Sequence, residues 1–519
     1  MPPVARFLTQ HADNVLGVLN GFDRLRLRGT LRLLANVQGM KQFLWHAQVP
    51  LTQFGDYVQD VTTRVKQATE AVPAAAARPL IYVVHPDESK EAMARAIAER
   101  DELTSGLVCT LKSVEGCWSY EVHRDRAARR LVLVPARRKC LHYYHYFLHP
   151  RLGFMHARLQ SWFPFTLHIC LNGREWLARQ MDAAHLAYQQ RENCFVWLAD
   201  VAAAQALADA QLRTSWPPLL EAIARQVHPA QAEVLAPYPV PYYWSLEQSE
   251  WASDVLFRSS AALGQLYPQL VAHAMQHVGS RDVMRFLSKP VMPVTTGTPL
   301  GIHGNFQGEV VTDLTKRREG VRIKHRVNGN WVKMYDKQGS VLRVETVINA
   351  TRDLRVFRRP EGDPQSPRRW HRLRKGIADV RRRAVLSQQA NARYLDTLAA
   401  VEMHEPLATA SRTLCRRVRW QGRSVRALNP LSAIDGALLT AIYRGEFVLT
   451  GFRNRDLREL RTARTASAVT RQFRLLRAHG LIRKMSHTHR YLLTDRGRVI
   501  IAALLAARQA DTATLTKAA

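Results

Sequence analysis

The stretch VRIKHRVNGNWVKMYDKQGSVLRVET, residues 321–346, carries two turn dipeptides between runs of alternating character. Asn328-Gly329 is the strongest short hairpin signal a sequence offers, because both residues tolerate the positive φ that a two-residue type I′ turn demands. With that turn fixed, Val327 pairs with Asn330, Arg326 opposes Trp331, Lys324 opposes Lys333 and Arg322 opposes Tyr335. Side chains alternate across a strand. Arg322, Lys324, Arg326, Trp331, Lys333, Tyr335 and Lys337 therefore share one face, and Val321, Ile323, His325, Val327, Val332 and Met334 the other. After Gln338-Gly339, VLRVETVIN supplies a third strand, with Leu342, Val344, Thr346 and Ile348 in one set and Val341, Arg343, Glu345 and Val347 in the other. The expected element is a basic antiparallel β-sheet. Like charges opposed across strands destabilise a sheet, so Lys324 against Lys333 needs compensation. A polyanion lying on the face would supply it, and Trp331 and Tyr335 add flat surfaces for bases. The nucleic-acid contacts expected here are Arg322, Lys324, Arg326, Trp331, Lys333, Lys337 and Arg343.

The whole chain points the same way. Its 519 residues include 75 Lys and Arg against 43 Asp and Glu, a formal charge of +32. Such an excess in a chain of ordinary apolar content predicts a polyanionic partner. Nucleic acid leads, since Arg dominates the count and forks onto phosphate and base edges. A membrane partner would need a long apolar span or a basic amphipathic anchor, and no uninterrupted apolar run approaches about 18 residues. The N-terminal MPPVARFLTQHADNVLGVL lacks the layout of a signal peptide. Six scattered cysteines, none in a CxxC pair, predict a reducing cytoplasmic setting and no structural zinc.

Composition divides the chain into five blocks. Residues 1–75 open with GFDRLRLRGTL, where Leu25, Leu27 and Leu31 alternate with Arg24, Arg26, Arg28 and Arg32 as in a basic strand. VPAAAARP, residues 72–79, reads as a linker. Residues 80–228 alternate strand and helix patterns (LIYVVHP, RLVLVPA, GREWLARQMDAAHLAY, ENCFVWLAD), which predicts an α+β core of the split-βαβ kind. Residues 240–350 hold a helical segment, SLEQSEWASDVLFRS and onward to Leu287, then a Gly/Pro/Thr loop and the basic sheet. Residues 351–427 form an Arg-rich helical connector. Residues 428–510 follow the order helix, helix, helix, strand, strand, helix.

That last order, with the phrase LLRAHGLIRKMSHTHRYLLTDRG, resembles bacterial winged-helix regulators over about 80 residues. The resemblance implies a third helix in the major groove and a wing on the backbone. Carried onto this chain, Ser467, Thr470, Arg471, Arg474 and Arg477 would face nucleic acid, with His487, His489 and Arg490 at the wing. From Ser411 onward, 22 Lys and Arg stand against 6 Asp and Glu, in keeping with that role.

KMYDKQGSVLRVET resembles a segment of replication initiators from filamentous phages and rolling-circle plasmids. The resemblance implies Tyr335 as a nucleophile on a DNA phosphate, Lys333 or Lys337 stabilising the developing charge, and Glu345 on a metal such as Mg²⁺. Those enzymes also carry a His-apolar-His pair on a strand. This chain has instead FMHARLQ, which sets His156, Arg158 and Gln160 on one face with His168 on the next strand and His142, His145 and His149 upstream. A second carboxylate set, Glu247, Glu250 and Asp254, would share a face if SLEQSEWASDVLFRS were helical, and it would suit Mg²⁺. The expectation is a multidomain nucleic-acid-binding protein, for DNA or structured RNA, serving a mobile element or replication system. The alternatives are a tyrosine-dependent nicking or strand-transfer enzyme and a non-catalytic RNA-binding component of a ribonucleoprotein.

Overall fold

The computed structural model describes residues 5–85, 87–287, 310–317, 320–360, 363, 365–399, 412, 414–444, 447, 451–460, 465–485 and 488–509. The chain is mixed α+β and forms two compact units, each assembled from separated stretches. The first comprises Leu19–Trp251 and Leu373–Ala384; the second comprises Met1–Val18, Ala252–Arg372 and Val385–Ala519. Among the described residues no helix is long and apolar enough to cross a membrane.

The first unit is built on a sheet whose strands are β1 (Val15–Leu31), β2 (Leu80–Tyr82), β3 (Gly106–Asp125), β4 (Arg130–His149), β5 (Gly153–Gln160) and β6 (Leu167–Asn172). A separate hairpin pairs β7 (Tyr188–Arg191) with β8 (Cys194–Leu198), and the first part of β9 (Tyr242–Phe257) completes the main sheet. The order is β9–β1–β6–β5–β4–β3–β2. β1–β6, β6–β5, β5–β4 and β4–β3 are antiparallel. β2 and β3 are parallel, with the helix Lys90–Arg100 between them in sequence.

The alternation in GFDRLRLRGTL is what places this sheet. Leu25, Leu27 and Leu31 enter one core with Met155, Ala157 and Leu159 of β5 and Leu167, Ile169 and Leu171 of β6. The helices Val37–His46, Phe54–Ala75 and Trp216–Val227 cover that face through Phe43, Val58, Val61, Leu220 and Ile223. On the opposite face the Lys90–Arg100 helix lays Ala94 and Ile97 in a cluster with Val83, Val108, Cys109, Leu111, Tyr146 and Phe154. The expected linker at 72–79 is corrected. Val72–Ala75 finish the helix Phe54–Ala75, because alanine favours helix strongly, and the chain turns at Ala77, φ 50°.

In the second unit, β10 (Val310–Arg317), β11 (Gly320–Val327), β12 (Asn330–Lys337) and β13 (Val341–Ile348) run in the order β10–β11–β12–β13–β9, the last being its Ala252–Phe257 portion. The register is the one read from Asn328-Gly329: Val327↔Asn330, Arg326↔Trp331, Lys324↔Lys333 and Arg322↔Tyr335. Asn328 and Gly329 take φ of 46° and 79°, as a type I′ turn requires. Ile323, Val332, Met334, Leu342 and Val344 form a core with Leu263, Leu266 and Leu270 of the helix Ser260–His277 and with Tyr394 and Leu395 of the helix Val380–Leu398. β10 was not expected. The Gly/Pro/Thr loop expected before it falls at 289–306, outside the described residues.

One element is of the other kind. SLEQSEWASDVLFRS is not helical; it lies in and just beyond β9. Glu247, Glu250 and Asp254 therefore do not share a helical face. Glu247 approaches His168 (3.5 Å), Glu250 accepts from Gln248 (3.1 Å), and Asp254 binds Arg343.

Within the second unit, residues 433–509 supply helices Ala433–Ile442, Asn454–Leu460 and Ala466–Ala478, a hairpin of Ile482–Lys484 with Tyr491–Leu493, and a helix Asp495–Gln509. Leu438, Ile442, Leu457, Val469, Phe473, Leu476, Leu493 and Ile500 share one core. Ser432 and Thr465 cap the first and third helices, and Gly480, φ 71°, follows the third.

Candidate nucleic-acid interface

The open part of the first unit's sheet is a basic cleft. On β1, Arg24, Arg26 and Arg28 point opposite to the core leucines, and their register partners on β6 are Asn172, Cys170 and His168. The row continues from His168 to Arg158 on β5, and the row beside it from Gln160 to His142 on β4. The face that FMHARLQ implied is thus real: His156, Arg158 and Gln160 alternate onto it with His142 and His168. His145 is on the other face, where it pairs with Thr110 (2.9 Å) and is fully buried. His149 instead caps the β4–β5 turn, its Nδ1 accepting from the amides of Arg151 and Leu152.

The cleft has a volume of about 780 Å³. Arg28, Arg137, Arg138, Lys139 and Arg158 line it, against Glu247 as the single carboxylate among the described lining residues. Arg158 is fixed rather than loose. It donates to Glu115 (3.3 Å) and to Nδ1 of His168 (3.1 Å). Burial pushes the Glu115 carboxyl up, but hydrogen bonds from Tyr144 (2.7 Å) and Ser113 (2.8 Å), with His142 and Arg158 nearby, hold it below its ordinary range. His142 is lowered to about 4 by burial and by Arg158, so at neutral pH it is an uncharged hydrogen-bonding group.

Aromatic surfaces stand beside the cations. Arg137 lies 5.4 Å from the ring of Trp118, which is 60% exposed, and Arg138 lies 5.5 Å from Trp162. The side-chain amide of Gln160 donates to the carbonyls of Trp118, Trp162 and Phe163, tying the β3–β4 hairpin to the β5–β6 connection. Ser119 Oγ, 3% exposed, and Arg28 Nε have no hydrogen-bond partner among the described residues, and both residues line the cleft.

The sheet of the second unit uses much of its charge internally. Across four strands run Asp313, Lys324, Lys333 and Glu345, each opposite the next. The opposed lysines are thus flanked by a carboxylate on either side, and their compensation comes from the sheet itself. Lys333 Nζ is 2.6 Å from Glu345, and Tyr335 donates its hydroxyl to the other oxygen of the same carboxylate. Burial raises the Glu345 carboxyl, yet Lys333 and Arg343 outweigh it and hold the group ionised. Arg343, fully buried, binds Asp254 through two donors at 2.6 and 2.8 Å. Tyr335 is 7% exposed and Lys337 sits 5.5 Å from its ring. Arg322 and Lys324 are half-buried, the latter 4.7 Å from the ring of Trp331, while Arg326 is exposed.

On the helix Ala466–Ala478, Ser467, Thr470, Arg471 and Arg474 are exposed on one side while Val469, Phe473 and Leu476 are buried on the other. Asn454 donates to Thr470 Oγ1 (2.9 Å), joining the second helix to the third. Arg477 stacks on Trp420 at 5.0 Å. His489 is exposed and Arg490 half-buried; His487 lies outside the described residues.

Residue-by-residue reading missed the cleft cations Arg28, Arg137, Arg138, Lys139 and the rim ring Trp118. Two signals pointed to them: the Arg alternation of GFDRLRLRG and the run ARRK, residues 136–139, inside a strand pattern. Compared with family models, with curated proteins and with solved structures, the chain matches none at a significant level.

Proposed function

We propose that this chain is a nucleic-acid-binding protein whose principal contact surface is the basic cleft of the first unit. The observation that carries the reading is that five cations and one carboxylate line the cleft, Arg138 and Arg158 also pairing with Glu121 and Glu115, on the sheet face opposite the one the helices cover. Phosphate binding is favoured by such a field, and guanidinium groups serve it best because they present forked donors. The +32 charge of the chain supports the same partner.

Residues 428–510 serve as a winged helix in this proposal. The exposed Ser467, Thr470, Arg471 and Arg474 on the third helix form its duplex-reading side, with His489 and Arg490 near its hairpin. Arg322, Lys324, Arg326 and Trp331 remain as an auxiliary contact on the second unit's sheet. Lys333, Lys337 and Arg343 are spent on internal ion pairing and packing. The split-βαβ reading of 80–228 is not carried forward, since it would separate the two parallel strands and β2 lies beside β3. Several contact surfaces on one chain suit a mobile-element or replication role.

The test is purification from cells under low salt, followed by extraction and sequencing of copurified nucleic acid, for the native chain and for Arg137→Ala/Lys139→Ala. Nucleic acid bound by the native protein and depleted in the variant supports the reading; equal absence from both defeats it. A single abundant structured RNA would move the assignment to a ribonucleoprotein component. The nicking alternative is settled in the same material. A covalent adduct with single-stranded DNA and Mg²⁺ that disappears in Tyr335→Phe would replace a binding role with a catalytic one.

A further inference from the structure

We infer that the cleft of the first unit takes a single nucleic-acid strand with a base splayed into it, its backbone led away along Arg24, Arg26 and Arg28 of β1. The inference rests on the nucleic-acid reading of this cleft and narrows its substrate class.

Shape comes first. At about 780 Å³ the cleft lies in the range of cavities that enclose one drug-sized ligand, which is nucleotide scale. A duplex keeps its base edges inside its own grooves and presents a convex surface, so its bases cannot reach a concave floor. A single strand can unstack a base and turn it in, against aromatic rings and guanidinium planes. Both stand here: Trp118 is 60% exposed with Arg137 at 5.4 Å.

The floor offers polar atoms with work left to do. Ser119 is 3% exposed and its Oγ has no partner among the described residues, although it lines the cleft. A buried hydroxyl in that state is costly unless something bonds to it. A base edge or a sugar hydroxyl meets that need; a phosphate backbone held above the rim does not.

Spacing is the third argument. Arg24, Arg26 and Arg28 recur every second residue on one strand, so they repeat at about 6.6 Å along it. That interval is commensurate with successive phosphates of one extended strand. Arg28 lines the large cleft, while Arg24 and Arg26 line a second, smaller cavity with Glu91, Arg95 and Asn172. The row thus leads outward from the place where the base would sit.

The experiment is fluorescence anisotropy with the full chain and labelled oligo-dT, oligo-rU and a blunt duplex, each of about 20 nucleotides per strand. Arg24→Gln/Arg26→Gln/Arg28→Gln should weaken single-strand binding at least tenfold and flatten its log–log salt dependence by about 2, at about 0.7 per lost phosphate contact. Duplex affinity should stay within about twofold. Trp118→Ala, an exposed position, should lower single-strand affinity about tenfold through lost stacking and again spare the duplex. The two homopolymers show whether the strand is DNA or RNA. Equal losses on single strand and duplex, or none on either, would overturn the inference while leaving the nucleic-acid reading intact. Failure of the native chain to bind any of the three would remove the reading beneath it.

Discussion

Arg343 and Asp254 show how a cation that reads as a ligand contact becomes part of the scaffold. A fully buried guanidinium is tolerable only with its charge matched and its donors used, and Asp254 meets it with two hydrogen bonds. Removing one partner strands the other, so Asp254→Ala should cost about 3–5 kcal/mol of stability, read by urea denaturation. A cost under about 1 kcal/mol would mean the pair is solvated. Tyr335 is held the same way by Glu345. Asp254 was not legible as a partner, because it lies 89 residues before Arg343 in the chain. Lys333 and Glu345 were legible as cross-strand neighbours once the register was known, and their ion pair at 2.6 Å follows from that register.

At the scale of elements, the two-residue period was readable wherever one face of a strand is buried and the other is not. Asn328-Gly329 set two strands in register, and the Arg–Leu alternation of β1 marked a sheet with a core side and a charged side. Gly329 has open space around it but φ of 79°. Gly329→Ala should therefore destabilise by about 1 kcal/mol through backbone strain alone, whereas a neutral thermal shift would deny the type I′ turn. β9 was misread for a physical reason. From Ser249 to Phe257 nearly every residue is buried, polar ones included, so no alternation survives for a period to detect. Two of its buried polar side chains are met by distant segments, Ser253 by Asn391 and Asp254 by Arg343. The helix Ala466–Ala478 kept its period, and its exposed side gives a clean expectation. Arg471→Ala/Arg474→Ala should weaken duplex binding by tenfold or more and leave single-strand binding unchanged; unchanged duplex binding would assign this side of the helix another role.

For the whole molecule, charge was the most legible property and the site the least. The total predicts a polyanion, but the cleft is assembled from residues within 28–35, 116–142 and 158–168 and from 247, which no local pattern brings together. Buried histidines add a pH dependence. His145 is lowered to about 3, His228 to about 3 and His325 to about 4, all chiefly by burial. Their unfolded values lie near about 6.5. Above that value neither state gains a proton. Below it the unfolded chain does and the folded chain does not, so stability falls with falling pH until the folded values are reached. The midpoint of thermal unfolding should drop between pH 7 and pH 5, and a midpoint constant over that range would place these rings in water.

The central claim is that the first unit's cleft is a nucleic-acid contact surface whose cations meet phosphates, and counterion release measures it directly. Affinity of the full chain for a single-stranded oligonucleotide, followed from about 50 to 200 mM salt, should fall by several powers of ten in proportion to the phosphates contacted. The dependence should be shallower in Arg137→Ala/Lys139→Ala. An affinity indifferent to salt, or the same slope in both proteins, would contradict it.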